Sequence, residues 1–558
     1  MIKYSKSANS LSGRGFYRDN LPEIKETNFY EYFFNNNRSY MDEVVLKTAD
    51  FKFTFSDIRA SADGYAGRLA GLGLKSGDTI LMLSMPTQEA TCLVLACAKL
   101  DICVVMLSPA PNDERLNNLI RQENIKFAFI SESFIGAAFN MPSLLKNVII
   151  YELPHDKYCP DCFRVNNDYN GAFGFVRRWT EFLSLEEKAV KTAENPVMSL
   201  YVAEAPGTDP RGIAYSHGAM IAGAKMLINS QIGFKRGDVY ESRIFMNAMA
   251  CTSLQLLCAM AEGVIINSNP ALPFADAKIV PGDLKNNDVN CLIMQYSATF
   301  PVLMSGELDD YDFSKLKLVY NFGEYFPPDK MLELHDRMTK QGGSVAVRNC
   351  YGLSEGNCIL TAEDNVNGLS KSTGYPTPYS RVYIVNPETY EELELGELGE
   401  IVYNSPAMMS GYYKDEAATA ERLIKDEKGL VFDRTGDLGR MDENGNLYLC
   451  GRAGNRIKIN GRVIYLDTVK KLFNPDNAFD AVIVVANADN AYVHIKSEQA
   501  LPAEKLAEQI QRIKANLLEK DVYEKGRYFY KLWSEFPMNH GRVRSDLLIN
   551  ETRDAAEI

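Results

Sequence analysis

No apolar run in the 558 residues approaches the ~20 that a bilayer-spanning helix requires. The first residues, MIKYSKSANSLSGRGFYRDN, also lack the apolar stretch of a secretory signal. The expectation is a cytoplasmic protein without a membrane span. An excess of basic charge is missing too, since 60 Lys+Arg stand against 73 Asp+Glu, a net charge of -13. That argues against a nucleic-acid partner, whose footprint is a basic face. It leaves room for a nucleotide, because phosphates need only a local patch and backbone N–H groups. Cysteine offers no metal framework. Cys159 and Cys162 form a CPDC pair, but no second pair accompanies it and His155 is the only extra ligand nearby, so the pair reads as a local loop. The total of 11 cysteines is odd. Several of them (Cys92, Cys97, Cys103, Cys258) sit in apolar stretches that suit buried free thiols. Repeats and low-complexity segments are absent.

What is present is an ordinary globular composition, 46% hydrophobic and 24% charged, in a chain long enough for several cores. The N-terminal part alternates strand and helix patterns. FTFSDIRASADGYAGRLAGLGL reads as a strand end and an amphipathic helix. Thr54 or Ser56 would cap it, Ile58, Tyr65, Ala66, Leu69 and Leu72 would form its apolar face, and Gly73 suits its end. DTILMLSM, CVVMLSP, KFAFIS and NVIIYE read as buried strands, and QEATCLVLACAKL as a buried helix. Such alternation predicts α/β architecture, with parallel sheets covered by helices. From about Gly374 to Asn446 the short segments RVYIVNP, GELGEIVYNS and GNLYLC predict a small antiparallel β-unit. After Gly451 come a hairpin pattern (IKINGRVIY), a helix-like LDTVKKLF, two strand patterns and a long helix in PAEKLAEQIQRIKANLLEK. These predict a compact α+β unit with its own core. The boundary is placed at 452/453, giving domains 1–452 and 453–558, with Gly454 as the hinge.

Five stretches carry the chemistry. AEAPGTDPRGIAYSH holds Thr208, Pro210, Arg211, Gly212, Ser216 and His217. NCYGLSEGN holds Tyr351, Gly352, Ser354 and Glu355. VFDRTGDLGRMDENGNLYLCGR runs from Val431 to Arg452 and includes Asp437. NRIKINGRVIY includes Lys458 and Gly461. FPMNHGRVRSDLL includes Arg542. Taken singly, the first would pass for a surface turn, the second for a strand–turn–helix joint with a capping serine, and the third for a β-hairpin. In this order, over nearly the whole chain, they resemble the adenylate-forming superfamily, which includes acyl-CoA synthetases, fatty acyl-AMP ligases and nonribosomal adenylation domains.

The resemblance implies a large AMP- and acid-binding domain and a small, mobile C-terminal domain. It implies ATP/AMP and Mg²⁺ as cofactors, a carboxylic acid as substrate, and coenzyme A or a carrier protein as acceptor. Tyr351 and Gly352 would line the adenine. Ser354 would contact the α-phosphate and Glu355 would hold Mg²⁺, a cation that takes one or two carboxylates plus phosphate oxygens. Asp437 would accept from both ribose hydroxyls, as a carboxylate with two acceptor oxygens does well. Arg452 would contact ribose or phosphate, and Lys458 lies in the loop that swings in for thiol attack. Gly323 and Glu324 fit the turn beside the acid and adenine pocket. Met246, Asn247, Tyr296 and Phe322, with Met249 and Phe300, would line the acid. Asn247 stands where amino-acid adenylators often carry Asp, so a free α-amino group would lose its counter-charge.

The chain departs from the family pattern in the places that handle reaction charge. The hydroxyl-rich half of the phosphate loop is replaced by Ala203, Glu204, Ala205, Pro206 and Gly207. Pro206 has no N–H to give. Arg211 and Arg542 stand where the family has lysines, and a planar fork does not replace a point charge. Two readings follow. In one, the protein makes an acyl-adenylate and passes the acyl group to a thiol. In the other, it binds an adenylate as a regulatory pseudoenzyme, or performs only the transfer half.

Overall fold

The computed structural model describes residues 1–5, 7, 10, 27–48, 51–106, 124–134, 148–154, 176–194, 196, 199–204, 211–242, 246, 256–268, 279–323, 326–364 and 372–452. Beyond these it describes the strand segments 456–459, 462–465, 481–487, 490–496, 527–533, 538–539, 542–543 and 556–557. For 199–204 and nearly all positions after 452 the description is of the backbone.

Two large sheets face one another across a layer of helices. A nine-stranded sheet runs from Tyr375–Pro376 through Cys358–Ala362, Arg348–Leu353, Leu318–Phe322, Cys291–Met294, Val239–Ser242, Ile265–Ser268 and Val44–Thr48 to Phe51–Thr54. An eight-stranded sheet runs from Gly411–Tyr412 through Gly212–Ser216, Ser199–Glu204, Cys103–Met106, Thr79–Leu83, Phe127–Ser131 and Ile149–Leu153 to Val176–Arg177. The central pairings of both sheets are parallel, as strand–helix alternation requires.

Side-chain alternation explains the layers. Along Thr79–Leu83, Ile80 and Met82 enter the core shared with the helices, while Leu81 and Leu83 enter a second core on the opposite face. In the other sheet, Tyr240, Ile293 and Tyr320 point into the shared core, and Val239, Leu292, Met294 and Val319 point away from it. The shared core is supplied by the helices Phe29–Asn36, Phe55–Gly71, Gln88–Leu100, His217–Asn229 and Leu257–Ala261. Gln88–Leu100 is buried from Gln88 to Ala98, as its nearly unbroken apolar run predicts. The helix Phe55–Gly71 begins at Thr54. There the Thr54 hydroxyl accepts from the Asp57 N–H at 3.2 Å, and the Asp57 carboxylate accepts from the Thr54 N–H at 2.8 Å.

The antiparallel unit expected from about Gly374 is a five-stranded sheet, with Arg381–Val385, Gly399–Asn404, Val431–Met441 and Leu423–Lys425 in order and Leu447–Arg452 on Val431–Met441. Its apolar face packs with Ala222, Met226, Tyr351 and Leu360. Beyond Arg452, Arg456–Ile459 and Arg462–Tyr465 pair as the expected hairpin. Ala481–Asn487, Asn490–Lys496, Arg527–Trp533 and Ala556–Glu557 form a separate sheet. The described strands after Arg452 pair only among themselves. The predicted helices at 466–473 and 502–520, the CPDC pair and Gly454 lie outside the described residues. Among the described residues, no helix is long and apolar enough to cross a membrane.

Candidate active site

Asp437 is placed by its strand. Gly436 takes φ +69°, a conformation that favours glycine, and the Asp437 N–H donates to the Thr435 hydroxyl at 2.9 Å. The register sets Asp437 opposite Arg452 across the hairpin. Arg452 Nε forms an ion pair with Asp437 Oδ1 at 2.7 Å, and the Tyr351 hydroxyl donates to Oδ2 at 2.6 Å. Both carboxylate oxygens are thus held, one by a cation and one by a phenol. Burial pushes the Asp437 carboxyl up from its ordinary value, and Arg452 and Tyr351 pull against that. Tyr351 is buried, and burial keeps its hydroxyl protonated and donating. Gly352 follows at a register shift in the pairing with Cys358–Ala362.

The strand Arg348–Leu353 does not lead into a helix. It ends in a single 3₁₀ turn, Ser354–Gly356, closed by Asn357 at φ +49°, and the chain returns as an antiparallel strand. Ser354 caps nothing. Its carbonyl accepts from the Tyr215 hydroxyl at 2.6 Å, which ties the turn to the strand after the phosphate loop. The Glu355 carbonyl accepts from the Met409 N–H at 2.8 Å. Glu355 is buried, and its Oε1 accepts from the Tyr412 hydroxyl at 2.9 Å and meets Arg422 Nη2 at 3.3 Å. Among the described residues no donor reaches Oε2. That leaves one hard carboxylate oxygen, which fits a magnesium ion completing its shell with phosphates and water. Among the described residues, no group of three or more His, Cys, Asp or Glu is arranged to hold a metal ion.

Arg211 precedes the strand Gly212–Ser216, with its guanidinium 5.4 Å over the Tyr412 ring. Tyr412 is brought there because Gly411–Tyr412 adds to the edge of Gly212–Ser216. Pro210 lies outside the described residues, while Ser216 and His217 do structural work. The Ser216 hydroxyl caps the helix His217–Asn229 by accepting from Ala219 N–H at 3.1 Å. His217 is buried, accepts the Phe29 N–H at Nδ1 and lies 3.7 Å from Asp101; burial lowers its pKa to about 4, against the pull of Asp101.

The sequence did not single out Tyr412, Arg422 and Asp433. Arg422 Nε donates to Asp433 Oδ1 at 2.8 Å while its Nη2 meets Glu355, so one guanidinium joins two buried carboxylates. Burial pushes the Asp433 carboxyl up to about 7, opposed by Arg422. No local signal marks Asp433 as buried, since Val431 and Phe432 precede it but Arg434 and Thr435 follow it. Arg422 and Glu355 both bear electrostatically on Asp437, so the Glu355 and Asp437 groups form one charged neighbourhood.

The predicted acid-pocket residues fall in two places. Met246 is fully buried in the shared core, and Phe322 packs against that core. Tyr296 packs with Phe326 and Phe300 (ring centroids 4.6 and 5.7 Å) in the outer core. Gly323 ends the strand Leu318–Phe322 at φ +79°. Thr208, Asn247, Met249, Glu324 and Gly461 lie outside the described residues. Lys458 and Arg542 lie in the strands Arg456–Ile459 and Arg542–Val543, described as backbone.

Comparison with known proteins bears on the family and the fold. The chain is 23% identical over 518 residues to the nonribosomal peptide synthetase sidE of Aspergillus fumigatus, covering 89% of this chain and 22% of that one. It is 21% identical over 503 residues to the mitochondrial medium-chain acyl-CoA ligase ACSF2 of Bos taurus, covering 83% and 78% of the two chains. The fold superposes on ATP-bound MatB from Rhodopseudomonas palustris with a TM-score of 0.75 at 18% identity, over 95% of this chain and 99% of that one. The family model of the AMP-binding enzymes matches residues 33–413, about two thirds of the sequence. The chain belongs to the AMP-binding enzyme family and is an enzyme of the adenylate-forming class.

Proposed function

We propose that this protein activates a carboxylic acid, fatty or aryl, as an acyl-adenylate at the expense of ATP, and passes the acyl group to a thiol of coenzyme A or a carrier protein. In the first step a carboxylate oxygen bonds to the α-phosphorus as the bond to pyrophosphate breaks. In the second a thiolate bonds to the acyl carbon as the bond to AMP breaks. The observation that carries this reading is the Tyr351–Asp437–Arg452 unit standing beside Glu355. Asp437 would exchange protein donors for ribose hydroxyls, and Arg452 would turn to ribose or phosphate. The Tyr351 ring would meet the adenine. Glu355 would hold Mg²⁺, which when bound would offset charge on the departing phosphates. Arg211 and Arg542 would share that charge, and the protein's main work is positioning and charge stabilisation. A medium-chain acyl-CoA ligase and a nonribosomal synthetase among the relatives support both acceptors. The seven free cysteines among the described residues support a reducing compartment, the cytoplasm.

The second reading is an adenylate binder, or an enzyme confined to the transfer half. It is favoured by the loss of hydroxyls in 203–207 and by the arginine already placed on Glu355. The test is acid-dependent pyrophosphate release over a panel of fatty and aryl acids, with AMP and ATP·Mg²⁺ binding measured by calorimetry. Release that is abolished in Glu355→Ala and Asp437→Ala establishes the ligase. AMP binding without release across the panel establishes the second reading. Failure to bind either nucleotide rejects both.

A further inference from the structure

Two carboxylates and one guanidinium meet in the buried space between the phosphate-loop strand and the small sheet. Glu355 comes from the 3₁₀ turn, Asp433 from the strand Val431–Met441, and Arg422 from the last turn of the helix Glu416–Arg422. Asp433 is fully buried and Arg422 is largely so. The other groups facing the cluster are Tyr412, which donates to Glu355, and Tyr403, which faces Asp433. Arg422 binds the two acids unequally. Its Nε sits 2.8 Å from Asp433, whereas its Nη2 sits 3.3 Å from Glu355, and that Nη2 makes no well-formed hydrogen bond. A fully buried carboxylate at 433 needs a reason, since burying charge is costly unless it is compensated.

We propose that Asp433 and Arg422 position Glu355 for a divalent cation, with Arg422 acting as a shared counter-ion that neutralises Glu355 before loading and transfers its charge wholly to Asp433 on loading. The inference rests on Glu355 being the Mg²⁺ carboxylate. Before the nucleotide binds, Arg422 offsets the charge of both acids, hydrogen-bonding Asp433 and standing 3.3 Å from Glu355. On loading, a cation at Glu355 would repel a guanidinium 3.3 Å away, and the adjoining carboxylate gives that guanidinium a place to stay. Without Asp433, Glu355 is the one carboxylate in direct ion-pair contact with Arg422 among the described residues, and Arg422 competes with the metal for it.

The test is calorimetric titration of the full-length protein with ATP over a graded series of Mg²⁺, and with AMP in the absence of metal. In Asp433→Asn the Mg²⁺ concentration for half-maximal ATP binding is expected to rise about tenfold, with AMP affinity unchanged. The double variant Arg422→Gln/Asp433→Asn removes the competing cation together with its partner, and its Mg²⁺ midpoint should return to the wild-type value or fall below it. This pair replacement removes both charges, so it is expected to fold even if the single variant does not. An unchanged midpoint in Asp433→Asn, or a double variant no better than the single one, overturns the proposal. Equal loss of AMP and ATP binding would show a merely structural role and overturns it as well. The control is Glu355→Gln. If wild-type ATP binding shows no Mg²⁺ dependence that this change removes, the metal assignment itself has failed.

Discussion

Each carboxylate oxygen of Asp437 already has one protein partner, and on the proposed reading ribose hydroxyls would take their remaining lone pairs or displace one of those partners. The two partners differ in kind. Tyr351 offers a neutral hydroxyl as well as a ring, and Arg452 a charged donor. Tyr351→Phe keeps the ring and frees Oδ2 for a ribose hydroxyl, so AMP affinity should change by less than about tenfold. Asp437→Ala removes the acceptor for ribose and strands Arg452. AMP affinity should then fall about ten- to a hundredfold, following the roughly 1.5–3 kcal/mol of a charge-assisted bond. Calorimetry on the two variants checks the ordering, and equal losses would refute the division of labour. His217 makes a pH prediction of a different kind. Its folded pKa is depressed from 6.5 to about 4. Between those values the unfolded chain takes up a proton that the folded chain refuses. Stability is therefore unaffected above 6.5 and falls by roughly 3 kcal/mol as pH drops to about 4. Denaturant melts of wild type and His217→Gln across that window should diverge, with the variant losing less.

Elements were most legible where local chemistry agreed with the tertiary environment. Thr54, Asp57 and the spacing of Ile58, Tyr65, Ala66 and Leu69 predict the helix Phe55–Gly71, and the structure adds a complete capping box. Thr54→Ala should destabilise the protein by about 1 kcal/mol in urea unfolding, with no change in slope. The small sheet was readable from its turn residues, and its junction depends on Gly374 at φ +78°. A Cβ there would lie 1.9 Å from the Ala362 carbonyl oxygen. Gly374→Ala should cost strain of roughly 1–3 kcal/mol and overpacking of a similar size, seen as a large fall in the unfolding midpoint. The joint at Ser354 was less legible. A Ser-Glu pair after a strand suits a helix start, but the positive φ of Asn357 and the pairing with Cys358–Ala362 turn the chain back instead. Arg422 and Asp433 lie eleven residues apart in a helix and a strand, and nothing local says that they meet at Glu355. That convergence belongs to the tertiary fold. Motif reading selects residues by their position within a pattern, so it singled out Asp437 and Glu355 but not the groups that contact Glu355.

At the scale of the molecule, the proposed site residues come from opposite sides of the proposed boundary at 452/453, with Glu355, Asp437 and Arg452 before it and Lys458 and Arg542 after it. The described strands beyond Arg452 pair only with one another, which is in keeping with the proposal of a separate unit that presents different residues to one site. The ligase reading uses that separation. Arg542 would serve the adenylation step and Lys458 the transfer step, each brought in by rotation near Gly454. Nucleotide holding should then survive loss of either residue, while the two half-reactions should fail separately. Arg542→Ala is expected to slow acid-dependent pyrophosphate release about ten- to a hundredfold, the equivalent of one charge-assisted contact. AMP affinity and thioester formation from supplied acyl-adenylate should stay near wild type. Lys458→Ala should show the reverse, with pyrophosphate release preserved and transfer slowed. Rapid-mixing assays of the two half-reactions separate these outcomes. If Arg542→Ala leaves pyrophosphate release intact, adenylation does not use the C-terminal unit through that residue. If both variants slow both steps alike, the two units do not exchange roles by rotation, and the boundary at 452/453 divides the chain without dividing the chemistry.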